Sequence, residues 1–381
     1  MNGRERVLTT LAHEKTDRVA LDLGGRQTTM TINALKRYKE YFNIQCPNNI
    51  MSERWQTAYI DESILRRYQI DTRHIRPESN VNANLIKKGI TPKIDDNTFI
   101  DEWGVVRQVV GDYANIIKHP LQGVASLDEL EKFGWPERPE EDYPCTGLRE
   151  KAKALYEEGE FAIIGCMGNA CNVFEASWYL RGLSEFFVDL AVDHDIAHAI
   201  MRKVTDIRKK NIKNYLTEVG DYLDVFQMAD DLASQNSLLM SVDMYKEMIK
   251  PYHMELIQYA QQFTKAKIYY HSCGAISPLL DELIDNGVAI LNPVQVSAEG
   301  MDSQFLKKRY GKHLTFWGGI DTLEVLARGT TQDVQHEVRK RIYDFAVDGG
   351  YVLGPVHNIQ SDVNPENIEI MYKTALTTPV R

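Results

Sequence analysis

The stretch Lys267-Ile-Tyr-Tyr-His271-Ser-Cys273-Gly274 ends an apolar, β-prone run in an imidazole and a thiol two residues apart. An imidazole nitrogen and a thiolate are both good zinc ligands. Two ligands do not make a site, and a buried cysteine beside a hydrogen-bonded core histidine also fits this pattern. In β/α folds the side chains that face a ligand sit at the carboxyl ends of strands. Several other strand-like runs end in polar residues. With His271 and Cys273 they give a set of Arg26, Asp71, Cys166, Asp230, Asp231, Asn292, Gln295, Asp321, His357 and Asn358. Each alone has a structural explanation, such as a helix cap for the Asp pair, a turn for Asn292-Pro293 or a core position for His357. Their shared place at strand ends is what makes them a candidate site.

The elements that must carry this set follow from the pattern. A short helical stripe, Gly3 to His13, precedes a strand over 18–24 that ends in Gly24-Gly25-Arg26-Gln27, and a helix over about 31–42 follows. Tyr68 to Asp71 reads as a second strand end. The alternation then breaks, at about 74–145. A hairpin over 98–110 turns near Gly104, and a proline-rich piece contains Pro136, Pro139 and Pro144. This is an insertion too short to bury much core of its own. Its alternating strands and its charges Asp101, Glu102 and Arg107 suggest an exposed ribbon acting as a lid or a partner-docking element. From Leu148 onward strand and helix alternate regularly, with strand ends at Gly165-Cys166-Met167-Gly168, Gln227 to Asp231, His271, Asn292, Gly318-Gly319 and Gly354 to Asn358. About eight strands, most followed by a helix, predict a (β/α)₈ TIM barrel forming a single domain over 1–381. A doubly wound sheet is the rival, but no strand is followed by a glycine-rich phosphate loop. His194-Asp-Ile-Ala-His198 has helical zinc-pair spacing, yet Asp195 stands where a metalloprotease has Glu. The apolar residues around it place it on the barrel's outer helices.

The composition narrows the class. A net charge of −10 argues against binding a phosphate backbone. No apolar run approaches the ~20 residues of a membrane span. The first residues lack the apolar core of a signal peptide, so a cytoplasmic location is expected, with the five cysteines as thiols.

The motif His271-Ser-Cys-Gly274, then Leu280-x-x-Leu283-Ile284-Asp285-x-Gly287-Val-x-Ile-Leu-Asn292-Pro-Val-Gln295, is similar to the uroporphyrinogen decarboxylase superfamily. Trp317-Gly-Gly-Ile-Asp321 and Gly349-Gly-Tyr-x-Leu353 continue the likeness, which runs from about Arg4 to Ala375. It is similar to the branch holding the cobalamin (corrinoid)-dependent methyltransferases. Those use a (β/α)₈ barrel and bind zinc through an H-x-C pair and a later Cys near the last strand. Here His357 stands at that later position, and a nitrogen can replace the thiolate. The decarboxylases carry an R-Q-A-G-R stretch after the first strand. This chain has only Gly25-Arg26-Gln27-Thr28 there, which argues against a tetrapyrrole substrate.

The resemblance implies a zinc-dependent methyltransferase that moves a methyl group between a small substrate and the cobalt of a corrinoid protein. A methoxylated aromatic undergoing O-demethylation is an attractive donor. The expected zinc ligands are His271, Cys273 and His357, with Asp230 or Asp231 able to complete the set. Asp230, Asp231, Asn292 and Gln295 are the expected catalytic groups. Arg26, Asp71, Met167, Asp321 and Asn358 are expected to line the substrate. A bound His357 must be neutral, so zinc affinity is expected to fall as the pH drops toward ~6.5. The corrinoid arrives on a separate partner protein, and the chain could pair as a homodimer. Two other readings stay open. One is a metal-free carboxy-lyase using Arg26 and Asp71 on a substrate carboxylate and ring; the other is a non-catalytic small-molecule binding barrel.

Overall fold

The computed structural model describes residues 1–168 and 171–380. Eight parallel strands form its central sheet: β1 (Ala20–Leu21), β2 (Thr72–Ile75), β3 (Ala162–Cys166), β4 (Val225–Ala229), β5 (Lys267–His271), β6 (Ile290–Asn292), β7 (Thr315–Ile320) and β8 (Tyr351–Pro355). From β2 to β8 each strand pairs with the next in sequence, and β1 pairs with β8 through Ala20 opposite Val352. The seam between β1 and β2 is closed by the Asp71 amide donating to the Leu21 carbonyl at 3.0 Å. This is the expected TIM barrel, with helices between strands on the outside.

Alternation along each strand decides what faces the axis. Ala20, Ala162, Ile164, Val225, Tyr269, Ile290, Trp317 and Val352 form one apolar cluster inside the barrel, stoppered by Val7 and Leu11 of the helix Gly3–Leu11. Their odd neighbours, such as Phe226, Tyr270, Leu291 and Phe316, join the larger cluster beneath the outer helices. Two residues beyond each inward apolar side chain, the same face carries Cys166, Gln227, His271 and Asn292 at the strands' carboxyl ends. The apolar layer is therefore the floor of the mouth.

The second strand begins four residues later than the sequence pattern suggests. A helix, Glu62–Arg67, runs up to Tyr68, and Gln69 takes a left-handed turn with φ of 50°. Tyr68 and Ile70 are buried, which mimics a strand, but they pack beneath outer helices. Asp71 consequently lies at the amino end of β2, opposite the mouth. Its carboxylate, 2% exposed, accepts hydrogen bonds from Arg6 at 2.6 Å, from Arg18 at 2.7 Å and from the Leu21 amide at 2.8 Å. It ties the amino-terminal helix to the first two strands and cannot hold a substrate at the mouth.

The insertion after β2 contains a three-stranded antiparallel ribbon, Thr98–Ile100, Val106–Val110 and Tyr113–Lys118, with the first turn at Gly104. The third strand was not legible in the sequence. Nor is the ribbon's base exposed. Asp101 and Arg107 are 3% and 2% exposed and pair at 3.2 Å. Asp101 also accepts from the Trp103 and Val105 amides, each at 3.0 Å, which fixes the turn. Trp103, Val105, Leu121 and Trp135 form a second apolar cluster with Tyr179 and Ile200 of the barrel's outer helices. The insertion thus buries its apolar side chains against the barrel's outer helices. No helix of the described residues is long and apolar enough to cross a membrane.

Candidate metal centre

His271 ends β5 facing the axis and is 4% exposed. Its Nδ1 donates to Asn292 Oδ1 at 2.5 Å, while Asn292 Nδ2 donates to the Trp317 carbonyl at 3.0 Å. The second bond fixes the orientation of the amide, and the amide in turn fixes the tautomer of His271. Its Nε2 is left with a free lone pair, 3.4 Å from Cys273 Sγ. Burial, opposed by the Asn292 hydrogen bond and reinforced by the charge of Arg26, lowers the His271 pKa to about 4. His357 follows β8, with its ring centroid 5.6 Å from that of His271. Burial and then the neighbouring His271 lower its pKa to about 3. The candidate ligand atoms of His271, Cys273 and His357 all lie within 4.8 Å of one another. Ligands around a tetrahedral zinc stand roughly 3.5 Å apart given bonds of about 2.0–2.3 Å. A small closure of side chains brings these three to that spacing.

The loop after β5 is built to present the thiol. The Cys273 amide donates to Asp231 at 2.8 Å and the Gly274 amide to Gln295 Oε1 at 2.8 Å. Gln295 is itself held by Gln235 at 2.6 Å. Gly274 has φ of 88°, and a Cβ there would lie 2.3 Å from the Ser234 carbonyl oxygen, so no larger residue fits. Burial first, then the charges of Asp231 and Glu175, hold the Cys273 thiol well above its ordinary pKa.

The remaining predicted residues divide. Asp231 faces the cluster, 3.9 Å from His271 Nε2, and burial with the charge of Asp230 raises its pKa. Asp230 is instead fully consumed by structure. It is wholly buried and accepts from the amides of Val173, Phe174 and Glu175 at 2.7–2.8 Å and from His253 at 2.9 Å. It caps the helix Phe174–Arg181 from the end of the neighbouring strand, with both oxygens engaged. Asn292 and Gln295 orient His271 and Gly274, so both are positioning residues. Asp321 caps the turn Thr322–Ala327, accepting from the amides of Leu323 and Glu324 at 2.9 and 2.6 Å. Asn358 accepts from the Thr29 amide at 3.0 Å. Met167 is 2% exposed and packs its sulfur 3.9 Å from Cys171 Sγ. Arg26 reaches the mouth and donates to the Gly168 carbonyl at 3.2 Å. Of the decoy pair, His194 is exposed and His198 bonds Tyr252 at 2.8 Å on the outer helices.

Several residues near the cluster escaped the sequence. Glu175, at the start of the capped helix, bonds Tyr179; burial and the charges of Asp231 and Asp230 raise its pKa. Tyr113, at the ribbon tip, accepts from Gln360 at 2.6 Å, and the adjacent Asp112 takes the Ser361 amide at 2.8 Å. The tip is thereby moored beside His357. Burial raises the Tyr113 pKa, and the charge of Cys273 adds to it. Asp22 follows β1 into the barrel and binds Thr28, Thr72, His74 and Trp317 at 2.5–2.9 Å. An acid two residues beyond the inward Ala20 was the signal for it; nothing local marked the other two.

The family model described as Uroporphyrinogen decarboxylase (URO-D) matches residues 109–377. A protein named uroporphyrinogen decarboxylase from Trichodesmium erythraeum (strain IMS101) is 23% identical over 284 residues, 71% of this chain and 73% of that protein. Among solved structures, a methyltransferase from Methanosarcina mazei superposes with a TM-score of 0.67 at 16% identity, covering 98% of each chain. That likeness is one of fold.

Proposed function

The chain belongs to the uroporphyrinogen decarboxylase family, and from that premise we propose that it is a zinc-dependent methyltransferase working with the cobalt of a corrinoid partner. The observation that carries the reading is the triad of His271, Cys273 and His357, with ligand atoms within 4.8 Å of one another at the barrel's mouth. The residues fit the ion. Two neutral imidazoles and a thiol make a mixed N/S donor set, His271 has the Asn292 hydrogen bond on its other nitrogen that zinc ligands typically have, and the three leave a fourth position open. The similarity in fold to a structure titled as a methyltransferase agrees with this.

Bound there, zinc would supply Lewis acidity to a substrate oxygen or sulfur, which makes a methyl ether cleavable or a thiol nucleophilic. The chain's own residues do the rest. Asn292 keeps the Nε2 lone pair of His271 on the cluster. Asp231 and Gln295 clamp the Cys273 loop through backbone amides. Asp231, with its raised pKa, stands where it can carry a proton at the carboxyl oxygen nearest His271. The ribbon tip brings Tyr113 within electrostatic reach of Cys273. A methoxylated aromatic is the proposed donor.

A metal-free carboxy-lyase is the second reading, favoured by the guanidinium groups near the mouth and by the name of the Trichodesmium relative. Methyl transfer from an aryl methyl ether to a cob(I)alamin-charged corrinoid protein, followed by absorbance, separates the two. Chelator-treated protein is expected to lose the activity and regain it with one equivalent of zinc. Full activity in metal-free protein would remove the Lewis-acid role.

A further inference from the structure

The ribbon ends in a two-residue turn, Gly111-Asp112, with Val110 paired to Tyr113 across it and Gly111 at φ of 64°. Asp112 fastens this turn to the barrel's rim. One of its oxygens accepts from Asn33 Nδ2 at 2.9 Å, on the helix Ile32–Phe42 that follows β1. The other accepts from the Ser361 amide at 2.8 Å and the Ser361 hydroxyl at 2.7 Å, in the loop that follows β8. Strands β1 and β8 are neighbours, so the turn bridges two adjacent loops at the carboxyl ends of the barrel.

Tyr113 comes directly after that anchor. It is 48% exposed, which by itself reads as solvated surface. Its hydroxyl is nevertheless fixed: the oxygen accepts from Gln360 Nε2 at 2.6 Å, three residues beyond His357. The hydroxyl's own proton goes to no described residue. Burial, and then the charge of Cys273, raise the Tyr113 pKa, so the hydroxyl keeps that proton. The barrel's own side chains around the cluster have their donors committed. His271 Nδ1 donates to Asn292, Asn292 Nδ2 to the Trp317 carbonyl and Gln295 Nε2 to Gln235, while Asp231 accepts from the Cys273 amide. A free, fixed O–H donor at the edge of a metal-ligand cluster is suited to an atom on which negative charge develops.

We propose that Tyr113 is a catalytic residue supplied by the insertion, its hydroxyl donating a hydrogen bond to the substrate oxygen that takes the open position beside His271, Cys273 and His357. The proposal rests on the methyl-transfer reading for the identity of that oxygen. In that reaction the methyl–oxygen bond breaks and its electron pair stays on the oxygen. The methyl carbon bonds to the Co(I) of the partner's corrinoid, and no proton moves. The Tyr113 hydrogen bond shares the charge left behind. The ligand class that fits is a phenol or its methyl ether, with the charged oxygen toward the ribbon tip.

The test compares the zinc-loaded wild type with Tyr113→Phe, which keeps the ring and removes the hydroxyl. Calorimetry measures binding of 4-nitrophenolate, whose charged oxygen imitates the departing one, and of the neutral 4-nitroanisole. The wild type is expected to bind the phenolate about tenfold or more tighter than Tyr113→Phe does, as for the loss of a charge-assisted hydrogen bond. Nitroanisole should bind both alike. The absorption band of the bound phenolate should lie at shorter wavelength on the wild type, because the donor stabilises the charged oxygen. In the corrinoid assay kcat should fall about a hundredfold, the range for removing one such donor, with zinc content unchanged. Gln360→Leu separates donor from mooring: Asp112 still holds the tip, so phenolate affinity should fall less than in Tyr113→Phe. Equal phenolate affinities for wild type and Tyr113→Phe, or none, overturn the proposal. So does an equal loss in Gln360→Leu, which would assign the effect to the mooring. Phenolate affinity that depends on Tyr113, with no methyl transfer by the wild type, would keep the donor and remove the methyl-transfer reading. Full methyl transfer by Tyr113→Phe would keep that reading and remove the donor.

Discussion

Cys273→Ser is expected to lower zinc from about one ion per chain to trace amounts and to cut methyl transfer by at least about a thousandfold. Serine preserves the size of the side chain and leaves intact the amide that donates to Asp231 at 2.8 Å. What it removes is the sulfur, the only soft donor among the three ligands; a neutral hydroxyl is a weak replacement. Lewis-acid assistance is worth several kcal/mol of transition-state charge, and each ~1.4 kcal/mol is tenfold in rate. Elemental analysis and the corrinoid assay read the two effects separately. Cys46→Ser serves as control: Cys46 is half-buried in the loop after the helix Ile32–Phe42, and neither quantity should change. Retained zinc with lost activity would make Cys273 a catalytic thiol rather than a ligand.

Asp230→Ala is expected to destabilise the fold by about 3–5 kcal/mol, the range seen when one partner of a buried charged network is removed. Three helix amides and His253 would lose their acceptor in a place without solvent, and unsatisfied buried donors cost about 1–3 kcal/mol each before relaxation. Denaturant unfolding measures it. The same variant should still bind zinc when folded, because no Asp230 oxygen is free to serve as a ligand. Unchanged stability with abolished turnover would return Asp230 to the catalytic role its sequence position suggested.

The barrel and its inward ligands were legible because period-two alternation is local. Tyr269 and His271 share a face in any strand that contains both, and the glycine after Cys273 marks the turn that presents the thiol. The misreadings concern what residues do across long sequence distances. Tyr68 and Ile70 are buried and apolar as in a strand, and only their packing beneath outer helices reveals that the strand starts after Asp71. Asp230 and Asp231 are indistinguishable in sequence. One caps a helix 56 residues earlier and the other faces the cluster, a difference set by which way each points from the end of β4. Tyr113 belongs to the insertion, whose docking onto the mouth through Asp112, Ser361 and Gln360 leaves no local pattern. The charges of Asp101 and Arg107 read as solvent-facing because burial of an ion pair is decided by Trp103 and Trp135 packing around it.

The most direct test is zinc titration against a competing chelator, for the wild type and His357→Ala, at several pH values. With His271 and His357 lowered to about 4 and 3, both rings are already neutral above pH ~5, so they release no proton on binding zinc. The inflection near pH 6.5 expected of an ordinary histidine should therefore be absent. The Cys273 thiol, raised well above its ordinary value, must give up its proton to bind. Affinity should fall about tenfold for each unit of pH from 8 to 6, the slope of one displaced proton. The predicted result is one zinc per wild-type chain with that slope, and binding weakened at least about a hundredfold in His357→Ala, more than the 10–100-fold typical of losing a supporting residue around a metal. Equal affinities for the two proteins would remove His357 from the ligand set and contradict the three-residue zinc centre.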